Sequence, residues 1–314
     1  MGAIVTPFQE RELNKIVERT LRDAGFRNPP VQLTDVLEHL ELSQYFYDLS
    51  DPSFLDKAKH KVMVGGHRLV EIIRKIKLQA VLFFDEGRIV VDRSLPPLKQ
   101  VWPAFHEAGH RICPLHKEVF AFGDTAQTLL PEFHEKLEAE ANYAGGCLMF
   151  CGNYFTRETM DTMPCWATVD AMAERYGRTK TATLRHYVRF GPDHPMAVII
   201  GTPWWKQGGD HEPGSWRHFV SSYGFARQFS NANADYLNGT VNQNTKEQYG
   251  GQVASFTLPL ADDDGIEHEF LAEAFFNRYD LLMMFVHLRK LNSRGVIVVP
   301  EQIGAIVQPI GVAR

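Results

Sequence analysis

The sequence predicts an α+β protein in which helices dominate the first two thirds and strands the last third. Before residue 190, apolar residues recur at helical spacing, and after it short apolar runs alternate with polar stretches. The chain has 314 residues, of which 44% are hydrophobic and 23% charged, which is typical of a folded core with a solvated surface. We therefore expect more than one folded region, with a boundary near Gly191-Pro192.

The composition indicates the cellular compartment and restricts the classes of binding partner that we expect. The net charge is -5, which excludes a generic nucleic-acid-binding protein but leaves room for a local basic patch. The four cysteines form no Cys-x-x-Cys pair, a usage typical of a reducing cytosol. Neither a signal peptide nor an apolar run of the roughly 20 residues that span a bilayer is visible. We expect a cytoplasmic protein that makes no membrane contact.

Periodicity and turn signals predict the elements that precede the central motif. Residues 8–25 are spaced for a helix, and Thr34 is expected to cap a short helix after it. A further helix is predicted over residues 54–77. Residues 78–84 and 88–92, joined by a tight turn that contains glycine, predict a β-hairpin.

The next predicted helix carries His-Glu-x-x-His at residues 106–110. Ser94 and Pro96-Pro97 are expected to open this helix. Cys113-Pro114 is expected to close it, because the residue before a proline is pushed out of the helical region. A second strong helix is predicted over residues 131–151. Glycine and alanine on both helices predict that the two can lie close together.

The spacing of the motif predicts a metal site with a general base beside it. His106 and His110 lie four residues apart and share one face of a helix, so both imidazoles can bind one metal ion from the same side. Glu107 projects beside that face, where it can accept a proton from a metal-bound water. This arrangement is the helical signature of zinc hydrolases.

A catalytic zinc ion needs a third protein ligand, and the residues leave several candidates. Glu138 lies on the second helix, with Asn142 four residues later on the same face, where its amide can orient a ligand histidine. His116 is the rival third ligand, because it continues the histidine spacing of the metzincin pattern. That pattern has glycine where this chain has Cys113. Glu140 is a further nearby carboxylate.

Two more regions complete the prediction. Residues 166–190 are expected to form two helices that resemble a helix-turn-helix, with basic Arg178, Lys180 and Arg185, although a helical packing unit is the favoured interpretation. In the last third, Asn231–Gln248 is predicted as a loop because it is rich in Asn, Gly and Thr. Strands are predicted at Ala197–Ile200, Val253–Leu258, Leu281–Val286 and Gly295–Val299.

These motifs, taken together, resemble the ImmA/IrrE family of metallo-endopeptidases over about residues 30–190. The family usually has an Ala-Asn-x-Phe-Ala stretch and a Leu-Met-Pro ending after its second motif, where this chain has Tyr143-Ala144-Gly145 and Phe150. Neither departure touches a proposed ligand. The resemblance is carried, in order, by Asn28-Pro29-Pro30-Val31, Gly87-Arg88-Ile89-Val90-Val91-Asp92, Phe105-His106-Glu107-Ala108-Gly109-His110 and Glu138-Ala139-Glu140-Ala141-Asn142.

The resemblance implies a three-part architecture. Residues 1–160 would form a mainly helical, zincin-like metalloprotease core with a small β-hairpin or sheet. Residues 161–190 would form the helical, helix-turn-helix-like unit. Residues 191–314 would form an α+β domain of GAF-like, sensory type, an expectation that rests on analogy of fold alone.

The resemblance also implies a gluzincin-like activity with one Zn²⁺ per chain. It favours Glu138 over Glu140 and His116 as the ligand that joins His106 and His110, with Glu107 as the general base. The expected substrate is a DNA-binding repressor of a stress or mobile-element response, and a small-molecule effector is expected at the C-terminal domain. Direct DNA binding is not expected. The alternative hypotheses are a non-catalytic metal-binding sensor or interaction module, and a DNA-binding regulator.

Overall fold

The computed structural model describes residues 5–47, 80–122, 131–206, 214–232, 234–246 and 249–288. The chain divides into two compact units between Pro192 and Asp193. Each unit combines helices with a sheet, so the predicted α+β class is confirmed. The predicted helix over residues 54–77 and the predicted strand Gly295–Val299 lie outside the described residues.

Two helices begin the first unit. Helix α1 (Pro7–Asp23) starts at a capping box, in which the Thr6 and Gln9 side chains each bond the other's backbone. Helix α2 (Leu33–His39) starts at Gln32 without a side-chain cap. The predicted cap at Thr34 is therefore wrong, because Thr34 lies inside the helix and its hydroxyl donates to the Asp35 carboxylate.

A three-stranded sheet with the order β1-β3-β2 follows. Strands β2 (Ala80–Phe83) and β3 (Arg88–Asp92) form the predicted antiparallel hairpin. The turn ends at Gly87 in the left-handed region, with φ 56°, which favours glycine. Strand β1 (Ser43–Tyr47) pairs with β3 in parallel. No strand is predicted there, because three of its five residues are exposed and no alternation marks a buried face.

Three helices form the centre of the first unit. Helix α3 (Pro97–Ile112) carries the motif and ends as predicted at Cys113, whose ψ of 112° is extended. Helix α4 (Pro114–Phe122) then begins, and helix α5 (Pro131–Met149) packs against α3. A Cβ atom on Gly145 would lie 2.5 Å from the Phe105 carbonyl oxygen, so the predicted close approach of α3 and α5 is confirmed. Strands β2 and β3 also contact α3.

Three more helices follow in the described part of the first unit: α6 (Asn153–Thr159), α7 (Trp166–Tyr176) and α8 (Lys180–Phe190). The two predicted helices of residues 166–190 are thus present, joined at Gly177 with φ 61°. His186 of α8 enters an aromatic cluster. Its ring stacks on Phe150 with centroids 4.2 Å apart and meets the edge of Phe155 at 4.7 Å.

The second unit is built on a five-stranded antiparallel sheet with the order β5-β4-β8-β7-β6. Its core packs Phe225, Phe229 and Leu237 against one face of the sheet. The strands are β4 (Met196–Gly201), β5 (Trp216–Ser221), β6 (Gly251–Ala261), β7 (Glu267–Phe276) and β8 (Leu281–His287), and the helices are α9 (Tyr223–Gln228) and α10 (Ala234–Asn244).

The predicted loop Asn231–Gln248 is wrong, because α10 forms within it. Its polar composition disfavours a helix, but Leu237 is fully buried, so packing against the sheet outweighs local propensity. Strands β5 and β7 are also absent from the prediction. Among the described helices, none combines the length and the apolar character needed to cross a bilayer.

Candidate metal centre

Three side chains from two helices converge in the first unit and form a group that can hold a metal ion: His106 and His110 from α3, and Glu138 from α5. The Nε2 atoms of the two histidines are 3.2 Å apart. Glu138 places one carboxylate oxygen 3.2 Å from Nε2 of His106 and the other 3.4 Å from Nε2 of His110. Tetrahedral zinc with bonds near 2 Å holds its ligand atoms about 3.3 Å apart. The two Nε2 atoms therefore have the spacing of tetrahedral ligands, and each of them has a different oxygen of the Glu138 carboxylate at a similar distance.

Asn142 fixes the proton of His106. Its Oδ1 lies 3.1 Å from Nδ1 of His106, and an amide oxygen only accepts, so this Nδ1 carries the hydrogen. Asn142 stands one turn after Glu138 on α5, as the spacing of the sequence predicts. In the neutral ring, Nε2 then presents a lone pair towards Glu138.

His116 and Glu140 fix the proton of His110 in the same way. Nδ1 of His116 lies 3.0 Å from Nδ1 of His110, and Nε2 of His116 lies 3.2 Å from Oε2 of Glu140. Because an ionised carboxylate only accepts, Nε2 of His116 donates, and if the ring carries this one hydrogen its Nδ1 is an acceptor. His110 therefore donates from Nδ1 and keeps a lone pair on Nε2. The rival ligand His116 thus faces the nitrogen of His110 that does not contact Glu138.

Two imidazole nitrogens and a carboxylate consequently face one another, an arrangement that favours a cation between them. Burial lowers the pKa of His110 to about 4, which keeps its ring neutral. Burial also lowers the pKa of His106, but its hydrogen bond with Glu138 and the nearby carboxylate charges outweigh this effect and raise it. Without a metal, a proton on His106 is the cation that the site attracts.

Glu107 lies beside this group and is buried, with 8% of its surface exposed. Its carboxylate accepts a hydrogen bond from the backbone N–H of Leu82 in β2. Burial raises the pKa of Glu107 to about 7, against the opposing charge of His106. A carboxyl group with a pKa near neutrality can both accept and return a proton at physiological pH.

The side chains of the group differ in their exposure to solvent within the described part of the chain. The side chain of Glu138 is 56% exposed, whereas that of His110 is 5% exposed. Behind His110, the side chain of His116 has no exposure. Among these described residues, Glu138 is therefore the member of the group with the greatest exposure.

The predicted helix-turn-helix-like region has two of its basic residues engaged within the chain. The Arg178 guanidinium donates to the carbonyl oxygens of Val31 at 2.6 Å and Met149 at 3.3 Å, and lies 5.1 Å from the centre of the Phe105 ring. Lys180 forms an ion pair of 2.8 Å with Asp170. These contacts fit the favoured interpretation of residues 166–190 as a packing unit.

Sequence reasoning missed the contributions of Leu82 and Gln9. Gln9 donates from Nε2 to Oε1 of Glu140 at 2.6 Å, across 131 residues of sequence. The Thr-x-x-Gln pattern of residues 6–9 is a readable signal for a helix start. No pattern in the sequence predicts that the Gln9 amide also donates to the Glu140 carboxylate on another helix.

No family model and no curated protein matches this chain. Among solved structures, a Mycobacterium tuberculosis transcriptional regulator has a similar fold, with a TM-score of 0.53. The match covers 95% of this chain and 94% of that chain at 12% sequence identity. At this identity the likeness is one of fold alone.

Proposed function

We propose that the protein is a zinc-dependent endopeptidase of the ImmA/IrrE type. In this proposal His106, His110 and Glu138 hold the zinc ion, and Glu107 is the general base. One observation carries the proposal: the Nε2 atoms of His106 and His110 lie 3.2 Å apart, and the two oxygens of the Glu138 carboxylate lie 3.2 and 3.4 Å from them. The buried carboxylate of Glu107 next to them supports a hydrolytic role over a purely structural one.

Each residue has a role that follows from its contacts. When bound, zinc supplies a Lewis acid and lowers the pKa of a coordinated water from 15.7 towards about 7. Glu107 accepts a proton at its carboxylate and delivers it to the amine nitrogen that leaves. The Leu82 N–H holds one oxygen of Glu107 in place. Asn142 and His116 hold the two ligand rings in the required tautomer.

A peptide is the substrate class that the surroundings of Glu107 favour. In the described sheet, β2 occupies an edge and borders the site through Leu82. Edge strands offer backbone groups that pair with an extended peptide. Such pairing would bring a peptide bond close to Glu107 without any requirement on its sequence.

The regulatory setting is part of the same proposal. The substrate would be a DNA-binding repressor, and residues 191–314 would form a GAF-like sensory domain for a small molecule. The five-stranded antiparallel sheet with helices packed on one face supports this assignment at the level of fold. We do not propose direct DNA binding, because the contacts of Arg178 and Lys180 compete with phosphate binding.

The test combines metal analysis with one substitution and its control. Purified protein, reconstituted with zinc, should bind one ion per chain, and Glu107→Gln should bind it equally but fail to cleave the repressors encoded beside its gene. Glu118→Gln, an exposed position on α4, should cleave like the wild type. A protein that binds no zinc overturns the assignment. Cleavage by Glu107→Gln overturns the general-base role, and a zinc-loaded wild type without cleavage favours the non-catalytic sensor.

A further inference from the structure

We propose that His116 is a positioning residue of the metal centre, which fixes the tautomer and orientation of His110 and is itself held by Glu140 and Gln9. The inference rests on the proposed metal site, because His116 acts there only through His110. It gives a role to a buried histidine that is not in contact with Glu138, and it links the metal centre to the start of α1.

The series of contacts is continuous and joins four helices. From His110 on α3, a contact of 3.0 Å leads to His116 on α4, and one of 3.2 Å leads on to Oε2 of Glu140 on α5. Gln9 on α1 donates to the other oxygen, Oε1, at 2.6 Å. Both oxygens of Glu140 are therefore occupied by donors.

The direction of each hydrogen bond in this series of contacts follows from Gln9, which lies at the end away from His110. Oε1 of Gln9 lies 3.0 Å from the Thr6 N–H and accepts from it in the capping box, so the Gln9 amide must turn its Nε2 towards Glu140. Glu140 then accepts from Gln9 and from Nε2 of His116. With a single hydrogen on its ring, at Nε2, His116 accepts at Nδ1 and His110 donates. The opposite direction would set an imidazole lone pair against the carboxylate and place a hydrogen on Nε2 of His110, where the metal must bind.

The break between α3 and α4 explains how His116 returns to His110. Helix α3 ends at Cys113, and α4 starts at Pro114, which changes the direction of the chain. The backbone N–H of His116 then bonds the carbonyl oxygen of Cys113 at 3.1 Å. This turn brings the His116 ring to 4.9 Å from the His110 ring, between centroids. A position six residues after His110 on an uninterrupted helix would face away from it.

Two substitutions separate positioning of His110 from a role in packing. In His116→Asn, Oδ1 stands where Nδ1 of the imidazole stood and can still accept from His110. In His116→Gln, the amide nitrogen stands where Nε2 stood and can still donate to Glu140, but the acceptor for His110 is lost. His39→Asn, at an exposed histidine of α2, is the matched control.

The readouts are the tautomer of His110 in the metal-free protein, from ¹⁵N NMR of the ring, and zinc affinity, from competition with a chelator. We expect the Nδ1–H tautomer in the wild type, His116→Asn and the control. His116→Gln should lose this preference and bind zinc about 10- to 100-fold more weakly. Urea midpoints of the metal-free proteins report any packing defect separately.

Two results overturn the inference. One is a metal-free wild type in which His110 carries its hydrogen on Nε2, a measurement that needs no variant. The other is zinc affinity that falls equally in His116→Asn and His116→Gln, or in neither. Failure of the proposed function is distinct, because it appears as a wild type with the Nδ1–H tautomer that binds no zinc.

Discussion

Gly109 of α3 and Gly145 of α5 meet so closely that a Cβ atom on Gly109 would lie 2.9 Å from the backbone nitrogen of Gly145. The close contact between the two helices includes a proposed ligand, because a Cβ atom on Gly145 would lie 3.0 Å from Cα of His106. The separation of α3 and α5 at this point sets the distance from the two histidines to Glu138.

Gly145→Ala adds only a methyl group, but the substitution should weaken zinc binding at the proposed site. Its methyl group would meet backbone atoms of Phe105 and His106, which can yield only if the helices move apart. We expect a loss of about 1–3 kcal/mol in the free energy of unfolding, measured in urea, together with weaker zinc binding. Gly146→Ala is the control, because its nearest neighbour would be the Trp102 side chain at 3.7 Å, an ordinary contact. Equal zinc affinity in both variants would contradict this account.

Removal of the third ligand should cost more than removal of a residue that orients a ligand. Glu138→Gln replaces a charged ligand with a neutral amide, so zinc affinity should fall by more than about 100-fold. Asn142→Ala should lower it about 10- to 100-fold, because His106 loses the acceptor for its Nδ1–H. Glu135→Gln, an exposed position on the same helix, should leave the affinity unchanged. Chelator competition measures all three, and an unchanged affinity in Glu138→Gln would remove that residue from the ligand set.

Arg178→Ala should destabilise the first unit, although Arg178 touches no proposed ligand. The substitution leaves the Val31 and Met149 carbonyl oxygens without their donor and uncovers one face of Phe105. We expect a loss of roughly 2–4 kcal/mol in the free energy of unfolding. Arg175→Ala removes an arginine that is 44% exposed and pairs with Glu158, and it should cost less than about 1 kcal/mol. Similar losses in the free energy of unfolding in the two variants would contradict a stabilising role for the buried contacts of Arg178.

His186 should make stability depend on pH below neutrality. Burial lowers the pKa of His186 to about 3 from the ordinary value of 6.5. Below pH 6.5 the unfolded chain therefore binds a proton that the folded protein does not, and stability falls as pH falls towards about 3. The slope of this contribution is at most about 1.4 kcal/mol per pH unit.

His186→Phe keeps a ring against Phe150 and removes the titrating group. The difference in urea stability between this variant and the wild type should therefore widen in favour of the variant from pH 6.5 to pH 4.5. His39→Gln, at an exposed histidine, should show the pH dependence of the wild type. Parallel curves for wild type and His186→Phe would contradict the assignment.

Where two residues of the site lie on the same helix, their relative placement was predictable from the sequence. His106 and His110 share a face by helical periodicity, and Glu138 and Asn142 do so by the same rule. Small residues at positions 109 and 145 predicted the close approach of the two helices. The contacts of His116 were not predictable, because they depend on the direction that α4 takes after Pro114. The same holds for Gln9, whose partner lies 131 residues away.

Prediction of the fold from the sequence has the same limit. The hairpin of β2 and β3 has a local turn signal and was predicted, whereas the parallel pairing of β1 with β3 joins Ser43 to Arg88, 45 positions apart in the sequence. Helix α10 was missed because its stability comes from Leu237 in the core and not from its polar sequence. Sequence patterns report local preference, and these two elements are determined by packing over long distances.

The unequal exposure of the proposed ligands has a consequence for how a zinc ion would reach them. The two histidines are aligned by partners inside the fold, whereas Glu138, the outermost ligand, faces solvent. In the proposed function, the ligand that completes the zinc site would be the one that faces solvent, so we expect folding and zinc uptake to be separable events.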